Sequence, residues 1–127
     1  MVTQAQSTLG LTFQEEQAIR EFTSKVRAAY GEQVRRVLLF GSKARGQSEE
    51  FSDIDILLVV AEEDWRFQKA ICEISSEISL KLDVVFDVHF IGASRWQYLA
   101  DIQAGYFRNV RREGIALFRG TGSDESV

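Results

Sequence analysis

Asp53 and Asp55 are separated by one residue at the head of the apolar run Ile54 to Val60. In an extended strand successive side chains alternate faces, so these two carboxylates point the same way. Like charges that close repel, and burial raises the cost unless a cation lies between them. A hard divalent ion with oxygen ligands, most often Mg²⁺, resolves the conflict. An isolated Asp-x-Asp is also what a solvated strand entrance looks like. Gly41 and Ser42 add a second half, because they close the preceding apolar run, Val34 to Phe40. Glycine at a strand end lets the backbone bend and approach a ligand. The residues that follow, "SKARG", can turn into a short helix whose free N–H groups face an anion. The Ser42 hydroxyl is a further donor, and Lys43 and Arg45 either neutralise phosphate or are solvated surface cations. The pattern is not the P-loop's Gly-x-x-x-x-Gly-Lys-Ser/Thr. Together the halves form a phosphate cradle and a metal clamp on adjacent strands, the minimum equipment for phosphoryl or nucleotidyl transfer.

The elements that must position these groups are legible from periodicity. Thr12 and Glu15 form a capping box, and Ile19, Phe22, Val26 and Ala29 then recur at helical spacing, with Gly31 as the stop. Val34 to Phe40 and Ile54 to Val60 read as strands, the second apolar enough to be covered on both faces. Asp64 caps a helix carrying Phe67, Ile71, Ile74 and Ile78. Asp83 to Ile91 reads as a third strand, with Asp83, Asp87 and His89 as its polar members. Helices follow from Ser94 to about Ala104 and from Phe107 to Glu113, and Ile115 to Phe118 reads as a short edge strand. The order predicts an α/β (α+β) fold, a mixed β-sheet flanked by helices.

At 127 residues the chain is long enough for one core but not two. The expectation is a single domain over residues 1–120, with a polar, disordered tail at 121–127. Cys72 is the only cysteine, which excludes an intramolecular disulfide and a Cys-rich zinc site; it reads as a buried structural thiol in a reducing, cytoplasmic protein. The N-terminal segment has no basic and apolar leader pattern, and no apolar stretch is long enough to span a membrane. The net charge of −4 argues against direct nucleic-acid binding. The charge is segregated: four cations and no acid lie between Val34 and Gly46, seven acids and no cation between Glu49 and Asp64, and four arginines with one glutamate between Gly105 and Gly120. Alternating blocks suit a site that handles phosphate and metal together, and equally suit unrelated solvated faces. His89 shares the alternating face of Asp83 and Asp87, which places it either near the site or, the preferred reading, as a packed or hydrogen-bonded histidine. Trp65, Trp96, Tyr98 and Tyr106 read as helix-layer packing, and Arg108, Arg111 and Arg112 as either a contact surface or a solvated face.

Gly41-Ser42 followed after ten residues by Asp53-x-Asp55 resembles the defining motif of the polymerase-β nucleotidyltransferase superfamily. The wording "LLFGSKARG…SDIDILLVV" is similar to its minimal nucleotidyltransferase (MNT) group, and "FRNVRREGIALF" resembles that group's C-terminal stretch. The resemblance implies two Mg²⁺ ions held by three carboxylates, with ATP as substrate. Asp53 and Asp55 supply two. Asp83 is the expected third, because parallel strands joined by a crossover helix start at one edge of the sheet. Asp87, on the same face but deeper, is the fallback. In the implied mechanism Gly41 and Ser42 hold the β/γ-phosphates, and Asp83 serves the ion beside the acceptor. Many MNT proteins resemble the antitoxin of a pair whose toxin is a helical HEPN-domain ribonuclease. The resemblance thus implies AMP transfer to a tyrosine of such a partner. Transfer to a small molecule such as an aminoglycoside, or a catalytically silent partner-binding subunit, are the alternatives.

Overall fold

Thr12 starts the first helix through a reciprocal cap: its Oγ1 accepts the Glu15 N–H at 3.1 Å, and Glu15 Oε1 accepts the Thr12 N–H at 3.0 Å. This helix, α1 (Phe13–Tyr30), buries Ala18, Ile19, Phe22 and Val26 on one stripe and has Gly31 as its C-cap. The computed structural model describes residues 11–41 and 53–119. Asp64 caps α2 (Trp65–Leu82), accepting the Arg66 N–H at 3.0 Å. The two helices lie side by side, with an ion pair of 2.7 Å from Lys81 to Glu21 between them.

Four strands form one mixed sheet in the order β3-β2-β1-β4. They are β1 (Val34–Phe40), β2 (Ile54–Val60), β3 (Phe86–Gly92) and β4 (Ile115–Arg119). The central strand β1 runs antiparallel to β2 and β4, whereas β2 and β3, joined through α2, are parallel. One face of the sheet, with Val37, Leu39, Ile54, Ile56, Leu58 and Val60, packs against α1 and α2. The other presents Leu38, Leu57, Val59 and Ile91 to Trp96, Phe107 and Val110. These come from α3 (Ala93–Asp101) and α4 (Gly105–Glu113), and the Trp96 and Phe107 rings meet edge to face at 4.9 Å. Complete burial of each large aliphatic or aromatic side chain contributes roughly 1.5–3 kcal/mol. β2, buried everywhere except at Asp55, is therefore the most firmly held strand.

Two expectations are corrected. The third strand begins at Phe86 rather than Asp83. Helix α2 runs on to Leu82, and Asp83 is its left-handed C-cap (φ 56°, ψ 51°), donating its N–H to the Ser79 carbonyl. The Val84 N–H returns to the same carbonyl at 3.3 Å, so the chain is still turning where the sequence pattern already reads as strand. Cys72 is exposed rather than buried, because it follows Ile71 by one position and is rotated away from the buried stripe Ile71, Ser75 and Ile78.

Candidate active site

The site is assembled by strand register. Asp55, the second residue of β2, lies directly across from Phe40 on β1 and from Asp87 on β3. Directly paired residues share a face of the sheet. Phe40, Asp55 and Asp87 therefore stand in a row on the α3/α4 side, at the edge where β1 ends and β2 and β3 begin. Gly41 is next after Phe40. An Ile54 N–H bond to the Val85 carbonyl at 2.8 Å fixes the β2–β3 register just ahead of the acids.

Gly41 has φ +75°, and a β-carbon there would collide with Oδ2 of Asp55. Both facts require glycine: the left-handed backbone is costly for other residues, and the carboxylate needs the space. Gly41 and the Asp55 carboxylate thus lie against each other across the β1–β2 pair.

Asp55, Asp87 and His89 each offer a ligand atom, and these atoms all lie within 4.8 Å of one another. His89 follows Asp87 by two residues and shares its face. Its Nε2 lies 3.2 Å from Asp87 Oδ2, with side-chain exposures of 44% and 50% for His89 and Asp87. The ring also packs edge-on to Phe40, with centroids 5.5 Å apart at 69°. Burial raises the Asp55 carboxyl above its ordinary value, as do the neighbouring charges of Asp87 and Asp53 and a hydrogen bond with Asp87; His89 opposes the shift. A carboxyl held up in this way is costly to ionise, and His89 offsets only part of that cost.

Those observations fit a divalent ion. Carboxylates converge, one is destabilised as an anion, and two donors on one ion stand at most about 4.2 Å apart, twice a bond of about 2.1 Å. The observed atoms, all within 4.8 Å of one another, stand close to that limit.

The sequence-predicted residues fall out as follows. Gly41, Asp55 and Asp87 are brought together. Asp53 is exposed just ahead of β2 and close enough to act on the Asp55 carboxyl. Asp83, in the turn that closes α2, is not a member of the converging group. Ser42, Lys43 and Arg45 lie outside the described residues. Trp96 is buried against Phe107, whereas Trp65 and Tyr98 are exposed. The Arg112 guanidinium donates to Asn109 Oδ1 at 3.2 Å. His89 is packed on Phe40 and paired with Asp87, as its shared alternation with Asp87 leads one to expect; what the sequence alone does not show is that this pair converges on Asp55.

Comparison with known proteins gives the family. Residues 19–105 match the family described as "Polymerase beta, Nucleotidyltransferase". The chain is 36% identical over 104 residues to "Putative protein adenylyltransferase MJ0604" of Methanocaldococcus jannaschii, across 82% of this chain and 98% of that protein. It is 40% identical over 68 residues to "Putative protein adenylyltransferase MJ0141" of the same organism, across 53% of this chain and 69% of that protein. Among solved structures, a chain in the crystal structure of a toxin–antitoxin with AMP-PNP matches with a TM-score of 0.55 at 20% identity, covering 81% of this chain and 74% of that one. A chain in a mutant of the toxin–antitoxin MntA–HpeT matches with a TM-score of 0.55 at 18% identity and the same coverage, 81% and 74%. At these identities the structural likeness is one of fold.

Proposed function

Because this chain belongs to the polymerase β nucleotidyltransferase family, we propose that it transfers AMP from ATP to a tyrosine hydroxyl of a partner HEPN-domain toxin, acting as its antitoxin in the cytoplasm. The observation that carries the reading is the row of Gly41, Asp55 and Asp87 across three strands at one sheet edge.

Asp53, Asp55 and Asp87 are the proposed ligands of two divalent ions, Mg²⁺ where the donors are all oxygen. Asp87 takes the place expected for Asp83, since it is Asp87 that faces Asp55. Bound there, the ions would favour ionisation of the acceptor hydroxyl and neutralise charge on the leaving pyrophosphate. Gly41 and Ser42 hold the β/γ-phosphates through backbone N–H groups and the Ser42 hydroxyl, and Lys43 and Arg45 neutralise phosphate charge. The acceptor oxygen bonds to the α-phosphorus, the bond from that phosphorus to the bridging oxygen breaks, and pyrophosphate leaves. Asp87, half-exposed on the edge strand β3, stands on the side from which an acceptor can approach.

Two comparisons support a protein acceptor. The Methanocaldococcus relative covered over 98% of its length is named a protein adenylyltransferase, and the fold is that of chains in toxin–antitoxin crystal structures. The test is incubation of the chain with its candidate toxin, ATP labelled at the α-phosphate and Mg²⁺. Label on the toxin, lost in Asp55→Asn, is the expected result; label on a small-molecule acceptor and none on the toxin contradicts the reading.

A further inference from the structure

We infer that the His89 imidazole is a direct ligand of one of the two divalent ions, and that this position selects a first-row transition ion such as Mn²⁺ over Mg²⁺. The inference rests on reading Asp55 and Asp87 as ion ligands and extends the donor set on the second strand. Asp53-x-Asp55, leading into β2, has a counterpart on β3 in Asp87-x-His89, a second pair of donors two residues apart. In the parallel register Asp55 faces Asp87, so Asp55, Asp87 and His89 form one patch rather than separate features. Nε2 of His89 lies 3.2 Å from Asp87 Oδ2, and Asp55, Asp87 and His89 converge within 4.8 Å. Nε2 therefore already lies beside the Asp87 carboxylate, with Asp55 close by. Phe40, edge-on at 5.5 Å, packs against the ring from one side.

Donor chemistry sets the ion. Mg²⁺ takes oxygen ligands in strict octahedral geometry and gives up water reluctantly. Imidazole nitrogen favours transition ions, and affinity at mixed nitrogen and oxygen sites rises from Mn²⁺ along the first row. An all-carboxylate position has a weaker bias of this kind and accommodates Mg²⁺ readily.

His89 is the single histidine of the chain, so an untagged sample with ¹⁵N-labelled histidine gives one imidazole signal set. The test titrates it with Zn²⁺, a diamagnetic probe, following Nε2 by long-range ¹H–¹⁵N correlation. Mn²⁺ and Mg²⁺ affinities are measured in parallel by free-Mn²⁺ spin resonance and competition. The expected result is a Nε2 ligation shift at the first equivalent of Zn²⁺. His89→Gln is expected to weaken Mn²⁺ about 10-fold or more, while the Mg²⁺ affinity is retained. Ion binding that depends on Asp55 but leaves the Nε2 shift unmoved overturns the His89 assignment and leaves the carboxylate site standing. A loss of Mn²⁺ and Mg²⁺ by the same factor in His89→Gln also overturns it, since a merely structural histidine acts on both. No ion binding by the unsubstituted chain overturns this inference and the reading beneath it.

Discussion

At the scale of single residues, Asp55 carries the electrostatic cost of the site. Its carboxyl is raised by burial first and by Asp87 and Asp53 next. The folded chain thus holds that proton more tightly than the unfolded chain does. Stability from this source is present below the ordinary Asp value and is lost as pH rises through the raised one. Asp55→Asn, neutral and nearly isosteric, is therefore expected to be more stable than the parent at pH 7 without divalent ions. That advantage disappears below the ordinary Asp range, about pH 3; urea denaturation at both pH values checks it. If Asp55 holds a divalent ion as proposed, the sign of the comparison is expected to reverse at saturating ion, because an ion that binds the folded parent better than the variant stabilises the parent more. Gly41 has no comparable substitute. Gly41→Ala is expected to cost about 1–2 kcal/mol for its left-handed backbone and to displace the Asp55 carboxylate as well. Denaturation reads the first effect and loss of nucleotidyl transfer the second.

Elements set which acid faces Asp55. The chain from Lys81 to Phe90 alternates between exposed and partly buried side chains without a break, although its first two residues are helix and Asp83 is a left-handed cap. A period of two therefore continues across a helix end, and nothing in that pattern marks where the strand begins. This is why the sequence points to Asp83 as the strand's mouth. The helix end and the β2–β3 hydrogen bonds move that mouth to Phe86. Other elements announce themselves because their signals are local: the Thr12–Glu15 box, the Asp64 cap, and the apolar run of β2. Asp83→Gly is expected to keep full transfer activity and to raise stability by about 0.5–1 kcal/mol, glycine being at ease in the left-handed cap. Asp87→Asn is expected to abolish transfer and leave stability near that of the parent. A paired activity and denaturation measurement distinguishes the two acids. Thr12→Ala, remote from the sheet edge, is expected to cost about 1 kcal/mol with activity unchanged.

Across the whole molecule, one sheet divides two unequal jobs. The α1/α2 face holds most of the fully buried aliphatic core, whereas on the α3/α4 face the apolar cover of Trp96, Phe107 and Val110 gives way to acids at the edge. Stability and chemistry are thus separated, and charged groups converge where they are needed without opening the main core. No helix among the described residues is long and apolar enough to cross a membrane. The acidic net charge of −4 disfavours a nucleic-acid acceptor and agrees with a protein one. The most direct test of that claim is mass spectrometry of the purified candidate toxin after incubation with this chain, ATP and a divalent ion. The account predicts one or more AMP adducts on a tyrosine of the toxin, absent with Asp55→Asn or Asp87→Asn. An unmodified toxin held in a stable complex with the unsubstituted chain would contradict it.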